Sequence, residues 1–186
     1  MDTFSFLSVV FSVIIGLAMT EIMQGLRKLI LARKRVIIFW PSLIWAGLMI
    51  FVIAQNWWGM FQMRDFRQWN MAMYAAVVFQ TTLMYLSAGM VIPEVPEHGP
   101  VDLRVAYFEH NGWFFGLLAS TIAATFFKDF ILNGHIAWSG NTTFLTSYFS
   151  LSLIGALTKK PWFHWFLAPF SVAAITTYTA LLSFRL

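Results

Sequence analysis

The chain contains no cysteine. Disulfides, thiolate metal sites and cysteine nucleophiles are therefore excluded, and cysteine usage gives no clue to the redox compartment. Charge is scarce as well: Asp, Glu, Lys and Arg make up 11% of the 186 residues, against about 25% in soluble domains. Signatures of phosphate binding and nucleophilic catalysis are missing too. There is no G-x-x-x-x-G-K-[ST] loop, no G-x-G-x-x-G turn, no G-x-S-x-G elbow, and no helix with regularly spaced arginines. The chain is read as a non-enzyme that needs no cofactor.

What is present is apolar: 59% of the residues are hydrophobic and 18% are aromatic. Soluble domains reach only about 45–50% apolar, so most side chains here must face lipid or other buried helices. The fold class expected is all-α, a polytopic transmembrane helical bundle with about six spans and short loops. It forms one integral-membrane domain over residues 1–186. A span needs about 20 apolar residues. Runs of that kind lie at about 4–26, 36–58, 69–92, 112–132, 141–157 and 161–183. The first is read as a retained span, since it starts at Asp2 without a basic leader and has no small-residue cleavage site.

Punctuation supports these limits. Pro41 falls in the first turn of the second run, Pro93 stops the third and Gly134 follows the fourth. Asn141 is expected to cap the fifth, and Pro169 lies inside the sixth, where it can kink the helix. From Asp102, a short interfacial helix is expected to lead into the fourth span. Trp57, Trp58, Trp69, Trp113, Trp162 and Trp165 lie near span ends, where indole rings settle at the headgroups.

The formal charge of +4 does not make a nucleic-acid binder. Arg27, Lys28, Arg33, Lys34 and Arg35 crowd into one short stretch between apolar runs, a pattern that sets membrane orientation. With Arg104, Lys159 and Lys160, eight basic residues fall in one set of alternate loops. Arg64, Arg67, Lys128 and Arg185 fall in the other. Both termini are therefore expected on the outer side. Three helices per half would give two halves of opposite topology, although no repeat is visible by residue identity.

The polar residues inside the runs are the candidate sites. Ser8, Ser12, Gly16, Thr20 and Gln24 recur every four residues and share one helix face; Gly112, Gly116, Ser120, Ala124 and Lys128 repeat the pattern in the fourth run. Such stripes are expected to be helix-packing seams, with the lining of a hydrated path as the alternative. Glu21 is the only carboxylate well inside an apolar run, and Lys28 lies seven residues away on about the same face. An ion pair is the plain expectation, and a proton or cation ligand is the functional one. Gln80 sits mid-span and should find a partner on another helix. Lys128 and Asp129 fall at the end of the fourth run and, being adjacent, need not pair. Of the four histidines only His164 falls inside a run, which argues against a haem between helices. The loop residues Glu94, Glu97, His98, Asp102, Glu109 and His110 could approach a divalent metal, but Pro96 breaks any helical ligand spacing. No metal site is expected.

The stretches Phe11-Ser-Val-Ile-Ile-Gly-Leu-Ala-Met-Thr20, Gly25-Leu26-Arg27, Phe39-Trp40-Pro41, Trp57-Trp58, Asp102-Leu103-Arg104 and Trp113-Phe114-Phe115-Gly116 resemble a family of small uncharacterised bacterial inner-membrane proteins. The resemblance spans about two-thirds of the chain and implies a bacterial inner (cytoplasmic) membrane. It carries no activity and no functional residue. The leading expectation is an oligomeric protein that passes or senses a small solute or ion. Its partners would be the bilayer and either further copies of itself or another membrane protein. A non-catalytic interaction subunit of a larger complex is the second reading. A membrane-embedded enzyme using the carboxylate and histidine loop is the third.

Overall fold

The computed structural model describes residues 3–65, 69–96 and 98–183; Asp2, Arg67, Glu97 and Arg185, used above, lie outside them. Six helices account for nearly all of it: α1 (Thr3–Leu31), α2 (Trp40–Met60), α3 (Met71–Val91), α4 (Leu103–Asn133), α5 (Gly140–Leu157) and α6 (Pro161–Ser183). Four of them, α1 to α4, are long and apolar enough to cross a membrane, which marks the chain as a membrane protein. Among the described residues, α5 and α6 do not reach that measure. The 18 residues of α5 include six Ser and Thr, and α6 carries His164 and Pro169.

Helix ends follow local chemistry. Pro41 occupies the first turn of α2, and α3 ends at Val91, ahead of Pro93. Asn70 caps α3 by accepting from the Met73 N–H, and Gly134 ends α4 at φ 72°, a left-handed geometry glycine adopts without strain. Two expectations need correction. Asp102 does cap a helix, accepting from the N–H groups of Arg104 and Val105, but that helix runs unbroken to Asn133, so there is no separate interfacial segment. The cap of α5 is Ser139, whose hydroxyl accepts from the Thr142 N–H, while Asn141 lies inside the helix and accepts from the Tyr178 hydroxyl.

In the packing, α3 lies between α1 and α4, α4 also carries α5, and α2 rests chiefly on α6. The two halves do not repeat this arrangement. Within its own half α1 packs more on α3 than on α2, whereas α4, its counterpart, packs on α5 and hardly on α6. The core face of α1 is Phe11, Ile15, Ala18, Ile22 and Leu29, spaced as one side of a helix requires. Phe11 meets the rings of Trp69 and Tyr74. At one end of the bundle the loop after α1 pairs with the loop before α4. Strands β1 (Val36–Ile37) and β2 (Val101–Asp102) run parallel, with Val36 opposite Val101. The Arg35 guanidinium donates to the Gly99 carbonyl at 2.8 Å. Arg33, Lys34, Lys159 and Lys160 lie at this same end, called here the basic end.

Candidate functional site

Two groups of polar side chains stand out, one buried and one exposed. The buried one lies near the basic end, where α4 meets the turn between α5 and α6. His164 is fully buried, and its Nε2 lies 2.7 Å from the Thr158 carbonyl oxygen. A carbonyl can only accept, so Nε2 carries a proton. In the neutral ring Nδ1 is then an acceptor, and the Tyr107 hydroxyl, 2.9 Å away, donates to it. The Trp45 indole N–H, buried and without a well-aligned hydrogen bond, lies beside the same hydroxyl. Asn111 Nδ2 donates to the carbonyls of Gly155 and Thr158 at 3.1 and 3.2 Å. The C-terminal carbonyls of α5, which no helical N–H can reach, are thus held by α4. The rings of Tyr107, Phe108, Phe115 and Phe163 surround the imidazole at 5.2 to 5.5 Å. The enclosed space beside Tyr107 and Asn111 measures about 10 Å³, room for roughly one water.

The sequence marks His164 as the one histidine inside a run, without the second that a haem between helices needs, and singles out neither Tyr107 nor Asn111. A histidine in an apolar run with an asparagine elsewhere in the chain was the available signal. The partner atoms, however, are backbone carbonyls, which no motif marks.

The exposed group is the polar face of α1. Gly16, Thr20, Glu21, Gln24 and Lys28 are exposed, and Ser8 and Ser12 are half-buried. The stripe is therefore not a seam within this chain, as the spacing had suggested. Both sides of α1 are apolar enough to be buried, and the bulkier Phe11–Ile15–Ile22 side takes the core. Ser8, Ser12 and Thr20 direct their hydroxyls to carbonyls of their own helix, at 3.0, 2.6 and 2.8 Å, so these three hydroxyl donors are met without a second helix. A Cβ on Gly16 would meet nothing within 4 Å. The α4 stripe is mixed: Gly112 and Ser120 are exposed, Gly116 and Lys128 are half-buried and Ala124 is buried, and a Cβ on Gly112 would lie 3.7 Å from the Ala156 carbonyl. Close packing occurs instead at Gly25, against Ile92, and at Gly155, against the Phe115 ring, where an added Cβ would lie 3.0 and 3.1 Å from its neighbours.

Glu21 has the Tyr85 hydroxyl as its hydrogen-bond partner, at the limiting distance of 3.5 Å, and no ion pair joins it to Lys28. Gln80 finds the expected cross-helix partner: its Nε2 donates to the Thr125 hydroxyl on α4 at 3.0 Å. Lys128 and Asp129 do pair, at 3.8 Å. A helical twist of 100° between neighbours still lets a long lysine fold back. Among the described residues no three His, Asp or Glu side chains gather where a metal could be held, so the loop acids and histidines are not brought together. Four apolar spans and these two polar groups define the class, a helical membrane protein. No family model, curated protein or solved structure matches the chain.

Proposed function

We propose that this is a six-span protein of a bacterial inner membrane, with both termini outside, which assembles with its own copies and passes or senses a small solute or ion. The observation that supports this reading is the placement of Glu21. It lies on α1, the least buried of the four long helices, beside Thr20 and Gln24 and outside the bundle core. A carboxylate turned to acyl chains is unfavourable, by up to about 2.5–3.5 kcal/mol at mid-bilayer on insertion scales. A neighbouring copy that covers this face would hydrate or ligate Glu21 and place Ser8, Ser12 and Thr20 along the contact. The path, on this reading, runs between protomers, because rings fill the space within each one.

The alternation of the helices is supported by the β1–β2 pairing, which puts the loops after α1 and before α4 at the same end. Reporter fusions at Arg35 and Lys160 should read cytoplasmic, and one at Leu186 periplasmic. A cytoplasmic C-terminus would refute the six-span arrangement. For the activity, pH-dye-loaded proteoliposomes carrying the wild-type chain should leak protons or cations faster than empty ones, and Glu21→Gln should return the rate to background. Wild-type flux equal to that of empty liposomes would favour the second reading, an interaction subunit of a larger membrane complex. The filled interior, with only about 10 Å³ free beside Tyr107, is the observation on that side.

A further inference from the structure

The basic end of α1 holds a feature that neither the buried histidine nor the Glu21 face uses. Met23, Leu26, Arg27, Ile30 and Leu31 line an open groove of about 300 Å³. Their spacing of three, four, seven and eight residues places them on one helix face. Met23, Ile30 and Leu31 are 59%, 64% and 67% exposed, so the groove is an uncovered apolar surface. Its polar groups are cationic. Arg27 lies within it, and the Arg33 guanidinium folds back to the Ile30 carbonyl at 3.4 Å, which brings a second positive charge to its end. Lys28 and Lys34 are exposed nearby, and among the described residues no carboxylate forms an ion pair with any of these four. The patch is also fixed in place, since Arg33–Arg35 form a 3-10 turn tied to the neighbouring loop through Gly99.

We propose that this groove binds one anionic phospholipid, with an acyl chain along Met23, Leu26 and Ile30 and the phosphate on Arg27 and Arg33. The two requirements of such a lipid, an apolar channel and a cationic head, are met side by side at the depth where a membrane helix meets its headgroups. A second copy of the chain is a poorer occupant, because a two-fold contact here would set Arg27 against Arg27. A soluble anion would leave the apolar surface uncovered. The site is independent of the solute reading, for it needs neither Glu21 nor an oligomer.

The full chain in neutral detergent, mixed with phosphatidylglycerol or phosphatidylcholine, tests this by native mass spectrometry of retained lipid. Wild type should retain the anionic lipid at least tenfold better than the neutral one. In the R27Q/R33Q variant each lost charge should weaken that retention about fivefold, bringing it to the neutral-lipid level. K159Q/K160Q, an equal loss of charge on the α5–α6 turn, should stay within twofold of wild type. Ile30→Ser keeps every charge and should lower retention of both lipids severalfold. Circular dichroism should give all variants the wild-type helix content. Glycerol phosphate, the headgroup without acyl chains, should not displace the lipid. Equal retention of the two lipids by wild type would overturn the proposal. So would wild-type preference in R27Q/R33Q, an equal loss in K159Q/K160Q, unchanged retention in Ile30→Ser, or displacement by glycerol phosphate.

Discussion

The polar cluster around His164 and the polar face of α1 are built from similar side chains and differ in where their hydrogen bonds go. Around His164 every strong donor is aimed at another element: Tyr107 at α6, the imidazole at the α5–α6 turn, Asn111 at the end of α5. On α1 the hydroxyls turn back to their own helix, and Glu21 is left with one long contact. In an apolar surrounding an unmet polar group is heavily penalised. The first group therefore holds the chain together, and the second is an exposed surface, the one on which the proposed assembly would form.

The largest test of this contrast is His164→Ala. It leaves the Tyr107 hydroxyl unpaired, removes one donor from the Thr158 carbonyl and opens space among four rings. A loss of roughly 3 kcal/mol of stability is expected, read as a fall in unfolding midpoint in detergent. Tyr107→Phe removes only the donor to Nδ1 and should lose about 1–2 kcal/mol; a change as small as that of a surface mutant would break the contrast. Next comes a glycine pair. Gly155→Leu drives a side chain into the Phe115 ring and should destabilise the protomer by about 1–3 kcal/mol. Gly16→Leu meets open space and should change protomer stability by no more than about 0.5 kcal/mol, while lowering the oligomeric mass measured by light scattering. Glu21→Gln should have the smallest effect on folding, below about 0.5 kcal/mol, since its one contact is long and exposed. Its readout is flux, as above.

Much of this fold was legible from short-range chemistry. Pro41, Pro93 and Gly134 sit where the helices begin or end because a missing N–H, a ring clash or a left-handed φ acts within a turn. The i, i+4 stripe of α1 was legible as a stripe, but which side of a doubly apolar helix turns inward depends on the neighbours it meets. Phe11 finds Trp69 and Tyr74, contacts spanning some sixty residues, and no local rule weighs them against Gly16. The cap of α5 was misplaced by two residues because Ser139 and Asn141 are both good caps; the competing bond from Tyr178 on α6 takes Asn141 away. The His164 cluster was hidden for the same reason, its members being drawn from four elements.

The pairing of β1 with β2 also constrains the order of events during synthesis. The chain emerges N-terminus first, and Val36 cannot meet Val101 until α1, α2 and α3 have all been made. From that moment the two loops act as a buckle across the first half. The long helix that begins one residue beyond the buckle starts from a fixed point. The α5–α6 hairpin is made last, and Tyr107 and Asn111, already presented by α4, are what it docks against. Ribosome-bound chains arrested before and well after Asp102 would differ in protease access to Arg35, which the Gly99 carbonyl holds, with protection appearing only in the longer one.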